Sequence, residues 1–336
     1  MSAASVTVDA RQLLDWARDP MSAARFSALS GCTCLRIDAA SDRLDGEEAA
    51  LVRCWLRALA CPTIAIGTSS GALAATCDVH VGTRAEAEAL AHNIERTPLA
   101  AALLVQVLRA VEAMAVEEGL LVESLAYSSL QVGPEFLAWR ASSAPSAAQP
   151  GLDPGPAVEA GREQDRLMLE LNRPSRRNAM SVEMRDGLIE SLQLVLADDT
   201  IRQVEIRGRG RCFSTGGDLD EFGSAPDPAT AHLVRRIALP GRLLEACRDR
   251  VSVHLHGACI GSGIEFPAFA SRIVASPDAW FQLPELRYGL IPGAGGCVSI
   301  TRRIGRQRTA WLALSGKRID ARTALEWGLV DAIKAP

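Results

Sequence analysis

The succession of a strand, a glycine-rich turn and a helix in the second half of the chain constrains its fold more than any other feature. Residues 251–255 (VSVHL) suit a strand, the turn at 257–263 carries three glycines, and a helix should begin near Ile264. The same alternation occurs earlier, where the sequence predicts strands at 166–171 and 204–207 and a serine-capped helix at 181–197. Alternating strands and helices predict the α/β class.

A change in composition divides the chain into unequal parts. Residues 141–156 (ASSAPSAAQPGLDPGP) lose all apolar periodicity and have the composition of a tether. Before them, Ala- and Leu-rich runs at 99–111 and 120–130 predict helices, which follow a short strand at 63–66. We therefore predict three parts, namely a mostly helical N-terminal region (1–140), a Pro/Ala/Ser/Gly-rich linker (141–160) and an α/β core (161–336).

Charge and cysteine usage exclude several classes of protein. The 36 Lys and Arg residues against 40 Asp and Glu give a net charge of -4 without a long basic run, which argues against a nucleic-acid partner. Asp9, Asp15 and Asp19 interrupt the first residues before a signal sequence or a membrane span could form, so we expect a cytoplasmic protein without membrane contact. The nine cysteines form no C-x-x-C pair and should be reduced and mainly buried, with Cys32 and Cys34 facing core and surface alternately.

Three segments of the second half place glycines beside polar residues. They are 213–218 (FSTGGD), 257–265 (GACIGSGIE) and 283–296. Glycine lets backbone N–H groups approach a ligand closely, and two such turns facing each other could stabilise an oxyanion. Glu265 and Glu285 lie on separate elements, where a fold could bring them together as an acid/base pair.

These segments and their neighbours resemble the crotonase superfamily, the enoyl-CoA hydratase/isomerase family. The resemblance begins at 171–180 (LNRPSRRNAM), continues through the three glycine-bearing segments, and ends at 315–320 (SGKRID) and 328–331 (GLVD). It covers about half of the chain in several ordered motifs. It implies a ββα spiral core that binds an acyl-CoA.

The resemblance also implies the roles of individual residues. The thioester carbonyl would be held by the backbone N–H groups of Thr215 and Ser262. Glu265 would deprotonate the water that attacks C3, and Glu285 would protonate C2. No metal or redox cofactor is implied, since coenzyme A is part of the substrate. The implied coenzyme A contacts are Arg176, Arg177, Ala179, Gly216 and Asp218.

The chain departs from the family pattern in three places. Family members usually have Ala or Ser at the position of Thr215 and Gly at that of Ser262, and many have Lys at that of Asp220. The helices that normally follow the core are absent after it, but residues 84–140 resemble them. The N-terminal region, which resembles a degenerate crotonase segment with its covering helices, should cover the pocket of its own subunit or of a neighbour. A homotrimer or homohexamer is expected from the resemblance.

Alternative functions remain open at this point. Within the fold, double-bond isomerisation or thioester hydrolysis would need one glutamate, and a non-catalytic crotonase-fold subunit would need neither. Residues 67–71 (GTSSG) match the G-x-S-x-G form of a nucleophile elbow, although little chain remains before the linker for a hydrolase fold. His254 and His256 share one face of a strand without the further ligands that a metal would need.

Overall fold

A four-stranded parallel sheet opens the chain. The structure is a computed structural model that describes residues 7–143 and 153–335. The first elements are β1 (Thr7–Val8), α1 (Ala10–Ala17), β2 (Leu35–Asp38), α2 (Gly46–Ala58), β3 (Thr63–Ile66), α3 (Ala72–Thr76) and β4 (Val79–Val81). The strands lie in the order β1-β2-β3-β4, and apolar side chains between residues 8 and 77 form a small core beside them.

Four helices follow this sheet, and local chemistry explains where they begin. They are α4 (Arg84–Arg96), α5 (Pro98–Val111), α6 (Val116–Leu130) and α7 (Pro134–Ser142). Thr83 and Glu86 form a capping box that opens α4. Pro98 occupies the first position of α5, and the Glu135 carboxylate accepts the next two N–H groups, from Leu99 at 2.7 Å and Ala100 at 2.9 Å. The start of α7 thereby caps α5.

The second half contains two sheets. Its elements are β5 (Val158–Glu163), β6 (Arg166–Leu171), α8 (Val182–Ala197), β7 (Gln203–Gly208), α9 (Pro228–Ile237), α10 (Pro240–Ala246), β8 (Val251–Leu255), β9 (Ala258–Ile260), α11 (Ser262–Glu265), β10 (Arg272–Ala275), β11 (Trp280–Gln282), α12 (Gly296–Ile304), α13 (Arg306–Ser315), β12 (Ile319–Asp320), α14 (Ala321–Trp327) and β13 (Ala332–Ile333). A six-stranded sheet has the order β13-β10-β8-β7-β6-β5, and a three-stranded sheet has the order β12-β11-β9. The α/β class predicted from the sequence is confirmed.

Successive strands alternate between these two sheets. β8 lies in the large sheet and β9 in the small one, and β10 and β11 repeat this division. Gly257 forms the corner between β8 and β9 with φ at +55°, and a Cβ there would lie 2.4 Å from the Arg211 carbonyl oxygen. Only glycine fits this turn without displacing the backbone. The turn delivers β9 and the short helix α11 to the centre of the molecule.

The helices of the N-terminal region share a hydrophobic core with the second half. α5 and α6 pack on α12, where a Cβ on Gly119 would lie 2.9 Å from the Val298 side chain. A buried ion network also joins the halves: Asp78 contacts Arg109 at 2.5 Å and Arg306 at 3.1 Å. The covering helices therefore lie on the core of their own chain, one of the two arrangements expected.

Both ends of the predicted linker form secondary structure. α7 extends to Ser142, and β5 begins at Val158, pairing antiparallel with β6. Residues 144–152, the middle of the linker, lie outside the described residues. The division into three parts stays a prediction. Within the described ranges, no helix has the length and apolar character needed to cross a membrane.

Candidate active site

Glu265 is a buried carboxyl held by the backbone of a neighbouring loop. It ends α11 with 2% of its surface exposed, and its Oε2 accepts N–H groups from Ala294 at 2.8 Å and Gly296 at 3.0 Å. Ser299 donates its hydroxyl to the Glu265 carbonyl oxygen at 2.7 Å, which ties α12 to α11. Burial raises the pKa of Glu265 to about 7, against the opposing effect of backbone hydrogen bonds from residues 293–296. The carboxyl therefore changes charge near neutral pH.

Glu285 is a second buried carboxyl, 8% exposed, in the helical turn after β11. Among the described residues, its Oε2 has no hydrogen-bond partner. Burial, followed by the charge of Glu265, raises the pKa of Glu285 well above its ordinary value. A Cβ on Gly261 would lie 2.5 Å from Oε1 of Glu285 and 3.7 Å from Oε1 of Glu265, so both carboxyls converge on this glycine.

A third buried carboxyl, Glu123, reaches the same loop from α6. It is 2% exposed and accepts the N–H groups of Gly295 at 2.7 Å and Cys297 at 2.8 Å. The four successive amides of residues 294–297 thus donate alternately to Glu265 and to Glu123. Burial, together with the charge of Glu265, raises the pKa of Glu123 to about 8. The loop that positions Glu265 is therefore fastened on its other side by the N-terminal region.

Glu123 was not among the predicted site residues, although the sequence carries a signal for it. Leu120, Glu123, Ser124 and Tyr127 have helical i, i+3, i+4, i+7 spacing, and all four are buried in α6. An acid within such a stripe is costly to bury without a partner. The position of this acid therefore indicates a buried contact, but nothing in the sequence identifies the loop 172 residues away that provides it.

The two glycine-bearing turns meet beside the carboxyls, with unused backbone donors. A Cβ on Gly216 would lie 2.8 Å from the Ile260 carbonyl oxygen, so the turns are in contact. The Thr215 N–H donates to the Arg177 carbonyl at 3.1 Å and is therefore engaged. In the part of the chain that the structure describes, the N–H groups of Gly217 and Ser262 donate no hydrogen bond, and the Ser262 hydroxyl is buried without a partner.

The residues predicted to contact coenzyme A lie on two adjoining segments. Met180 donates its N–H to the Gly216 carbonyl at 2.8 Å, which joins the turn containing Arg177 and Ala179 to the glycine-bearing turn. Arg176 pairs with Asp218 at 2.9 Å and with Asp220 at 3.3 Å. Asp220 lies where many family members have Lys. It pairs with Arg176, which was predicted to contact coenzyme A.

Residues 293–297 form the loop that holds Glu265, which we call the Glu265 loop. A cavity of about 430 Å³ opens next to this loop. We name it the α6–α9 cavity. The Tyr127 ring lies against Gly293, where a Cβ would be 2.1 Å from the ring. The walls of the α6–α9 cavity come from α6, the segment 222–226, α9 and the Glu265 loop. They include Tyr127, Gln131, Phe222, Ala231, Arg235, Gly293 and Ala294.

Two other patterns noted in the sequence lie outside this site. His254 Nε2 lies 3.2 Å from Glu205, and His256 Nε2 lies 2.9 Å from the Gly210 carbonyl oxygen. At the G-x-S-x-G segment, the neighbouring imidazole of His80 lies 2.7 Å from the Gly67 carbonyl oxygen. No hydrogen bond joins this ring to Ser69 in the described structure.

The spiral of ββα units around a buried carboxyl pair defines the class of protein. The chain belongs to the enoyl-CoA hydratase/isomerase family, whose model matches residues 162–336, and the resemblance to the crotonase superfamily is confirmed. The 2,3-dehydroadipyl-CoA hydratase of Escherichia coli (strain K12) is 34% identical over 172 residues, which are 51% of this chain and 67% of that protein. The 1,2-epoxyphenylacetyl-CoA isomerase of the same organism is 36% identical over 180 residues, 50% of this chain and 66% of that protein.

Solved structures support the same assignment. The crystal structure of enoyl-CoA hydratase from Thermoplasma volcanium GSS1 has a TM-score of 0.50 and 32% sequence identity, covering 54% of this chain and 73% of that one. The enoyl-CoA hydratase structure from Mycobacterium smegmatis has a TM-score of 0.51 at 27% identity, covering 54% and 71%. The predicted crotonase-like core is therefore confirmed. The curated relatives named above are matched over about two thirds of their own length.

Proposed function

We propose that the protein is an enoyl-CoA hydratase that adds water across the double bond of a 2-enoyl-CoA thioester. The observation that carries this proposal is the convergence of Glu265 and Glu285 on Gly261 in unequal surroundings, since Glu265 accepts two backbone N–H groups and Oε2 of Glu285 has no partner among the described residues. Hydration needs one group that accepts a proton and one that donates a proton at the same pH. A pair of carboxyls with unequal environments meets this requirement.

The two glutamates have separate roles in this proposal. Glu265, with a pKa of about 7, is ionised in a large fraction of molecules at neutral pH and takes a proton from the attacking water. The water oxygen bonds to C3, and the electron pair of the C2–C3 double bond moves towards the thioester oxygen. Glu285, whose pKa burial raises well above its ordinary value, acts as the acid and gives its proton to C2. The product is a 3-hydroxyacyl-CoA.

The oxyanion formed in this step needs preorganised donors. We assign this role to the backbone N–H groups of Gly217 and Ser262, because both are unused within the described residues and lie on the two turns in contact. The sequence had indicated Thr215 in place of Gly217. Since the Thr215 amide already donates to the Arg177 carbonyl, it would have to break that bond to serve.

The remaining expectations stay predictions. Arg177, Ala179 and Gly216 adjoin the proposed oxyanion donors, which suits binding of the coenzyme portion of the substrate. Arg176 would contact a phosphate only by sharing its charge with Asp218 and Asp220. The cytoplasmic location and the trimeric or hexameric state also stay predictions.

Loss of the conjugated enoyl-thioester absorbance on mixing with crotonyl-CoA and longer 2-enoyl-CoA thioesters tests the proposal. Glu265→Gln and Glu285→Gln should each reduce kcat by at least about a hundredfold, within the usual contribution of general acid–base groups. Glu190→Gln, at an exposed position on α8, is the matched control and should retain the wild-type rate.

Two results would overturn the hydratase assignment. The first is a kcat that depends on one glutamate but not on the other, together with conversion of 3-enoyl to 2-enoyl thioesters. This result would establish isomerisation. Failure of every CoA thioester to bind would favour the non-catalytic subunit. The family relationship alone does not decide between hydration and isomerisation, since the relatives include both hydratases and isomerases.

A further inference from the structure

Arg235 places a guanidinium group in the wall of the α6–α9 cavity. Its Nη1 donates to the Ser128 hydroxyl at 2.9 Å and to the Ala231 carbonyl at 3.1 Å, and its Nη2 donates to Gln131 Oε1 at 2.8 Å. Its Cζ lies 4.1 Å from the centre of the Tyr127 ring. The end of α6, Gln131 just after it and a carbonyl of α9 therefore fix the orientation of this cation, and each of these hydrogen-bond acceptors is neutral.

The positive charge of Arg235 has no carboxylate counter-ion among the residues that the structure describes. Within residues 7–143 and 153–335, no acid lies at ion-pair distance from it, whereas the adjacent Arg236 pairs with Glu117 at 3.0 Å. Glu123 acts on Arg235 electrostatically, but its carboxyl accepts the Gly295 and Cys297 amides. Burial lowers the pKa of Arg235, as expected for a desolvated cation. A desolvated cation facing a cavity favours an anionic occupant.

The other charged side chains of the cavity wall already have partners. Arg185 pairs with Asp186 at 2.7 Å, and Asp218 pairs with Arg176 at 2.9 Å. Glu221 accepts the Val182 N–H at 2.8 Å. Arg235 is therefore the cation of the described cavity wall that lacks a carboxylate partner.

The position of the cavity connects Arg235 to the proposed chemistry. Ala294, whose N–H holds Glu265, and Arg235 belong to the walls of the same cavity. Tyr127 lies between them, with its ring against Gly293 and under the guanidinium. The cavity wall thus extends from the loop that holds Glu265 to Arg235.

We propose that Arg235 binds a carboxylate at the far end of the acyl chain, so that the preferred substrates are CoA thioesters of dicarboxylic 2-enoic acids. This inference rests on the proposed function, because it assumes that the acyl group occupies the α6–α9 cavity. Guanidinium–carboxylate hydrogen bonds are charge-assisted and are strengthened where water is excluded. Longer apolar chains would instead leave the cation desolvated and unpaired.

Equilibrium binding of saturated thioesters tests this inference without requiring turnover. Adipoyl-CoA and hexanoyl-CoA have the same number of acyl carbons and differ in the terminal carboxylate, and shorter and longer pairs extend the comparison. Wild-type protein should bind the best carboxylate-ended member at least about tenfold more tightly than its uncharged partner. Arg235→Met should abolish this preference, whereas the control Arg236→Met, which removes a cation from the same helix, should retain it.

Each other outcome has a defined meaning. Equal affinity of the wild type for both members of every pair would overturn the inference and leave the hydratase proposal standing. If Arg235→Met weakened the binding of both members of a pair equally, Arg235 would only tie α9 to α6. This result would also overturn the inference. If Arg235→Met fails to fold, Arg235→Gln, which keeps hydrogen-bond donors, replaces it. If no thioester binds to the wild type, the acyl-CoA function fails together with the inference.

Discussion

Removal of the Glu123 carboxyl tests how the N-terminal region supports the site. Glu123→Ala would leave the buried N–H groups of Gly295 and Cys297 without acceptors. Each unsatisfied buried donor costs about 1–3 kcal/mol, so the substitution should reduce the free energy of unfolding by about 2–6 kcal/mol. Glu123→Gln keeps one acceptor and turns its amide N–H towards the second donor, so its cost should be about 1–3 kcal/mol.

The same substitutions should reduce activity through Glu265. The 294–297 backbone donates alternately to Glu265 and Glu123, so loss of one side loosens the other. A displacement of about 1 Å at a reacting group can cost about a hundredfold in rate. We therefore expect kcat for crotonyl-CoA to fall by about ten- to a hundredfold in Glu123→Gln, with a smaller change in KM.

Urea unfolding and steady-state kinetics on the same preparations provide the measurements. Glu117→Gln is the matched control, because Glu117 lies on the same helix but is exposed and pairs at the surface with Arg236 and Arg242. It should change the unfolding free energy by at most about 1 kcal/mol and leave kcat unaltered. If Glu123→Ala cost no more than this control, the buried contact would not fasten the loop, and the reasoning would be refuted.

Three further predictions concern pH, the buried ion network and the Glu265 loop. Glu265 must be ionised to act as a base, and burial raises its pKa to about 7. The value of kcat/KM should therefore fall as the pH decreases below about 7. Glu265→Gln should abolish this acid limb of the profile together with the rate. Asp78→Asn leaves Arg109 and Arg306 without a buried carboxylate and should lower the free energy of unfolding by about 3–5 kcal/mol, measured by urea titration. Gly296→Ala places a Cβ 2.6 Å from Cγ of Glu265 and should reduce kcat by about a hundredfold, while calorimetry should show little change in hexanoyl-CoA affinity.

The sequence predicted those elements that local patterns determine. The strands at 63–66, 166–171 and 251–255 have the predicted bounds. The helix at 182–197 begins after Ser181, whose hydroxyl accepts the Met184 N–H at 3.3 Å. Side-chain periodicity and capping are properties of short segments, which explains this success.

Contacts between distant segments were harder to predict. Backbone amides carry no sequence signal, so only the structure shows that the Thr215 N–H is engaged and that the Gly217 N–H is not.

The prediction that Cys32 and Cys34 face core and surface alternately is wrong, because both are buried. Residues two apart in an extended segment point to the same face, so alternation along the chain does not separate Cys32 from Cys34.

One helix of the N-terminal region takes part in both proposals. The buried face of α6 places Glu123 on the loop of the proposed base and Tyr127 against Gly293 of the same loop. Ser128, the next residue, and Gln131, one turn after Tyr127, hold the guanidinium proposed to select the substrate. A shift of α6 would therefore move the base and the selecting cation together. The continuous core that this region shares with the half matched by the family is the physical basis of that coupling.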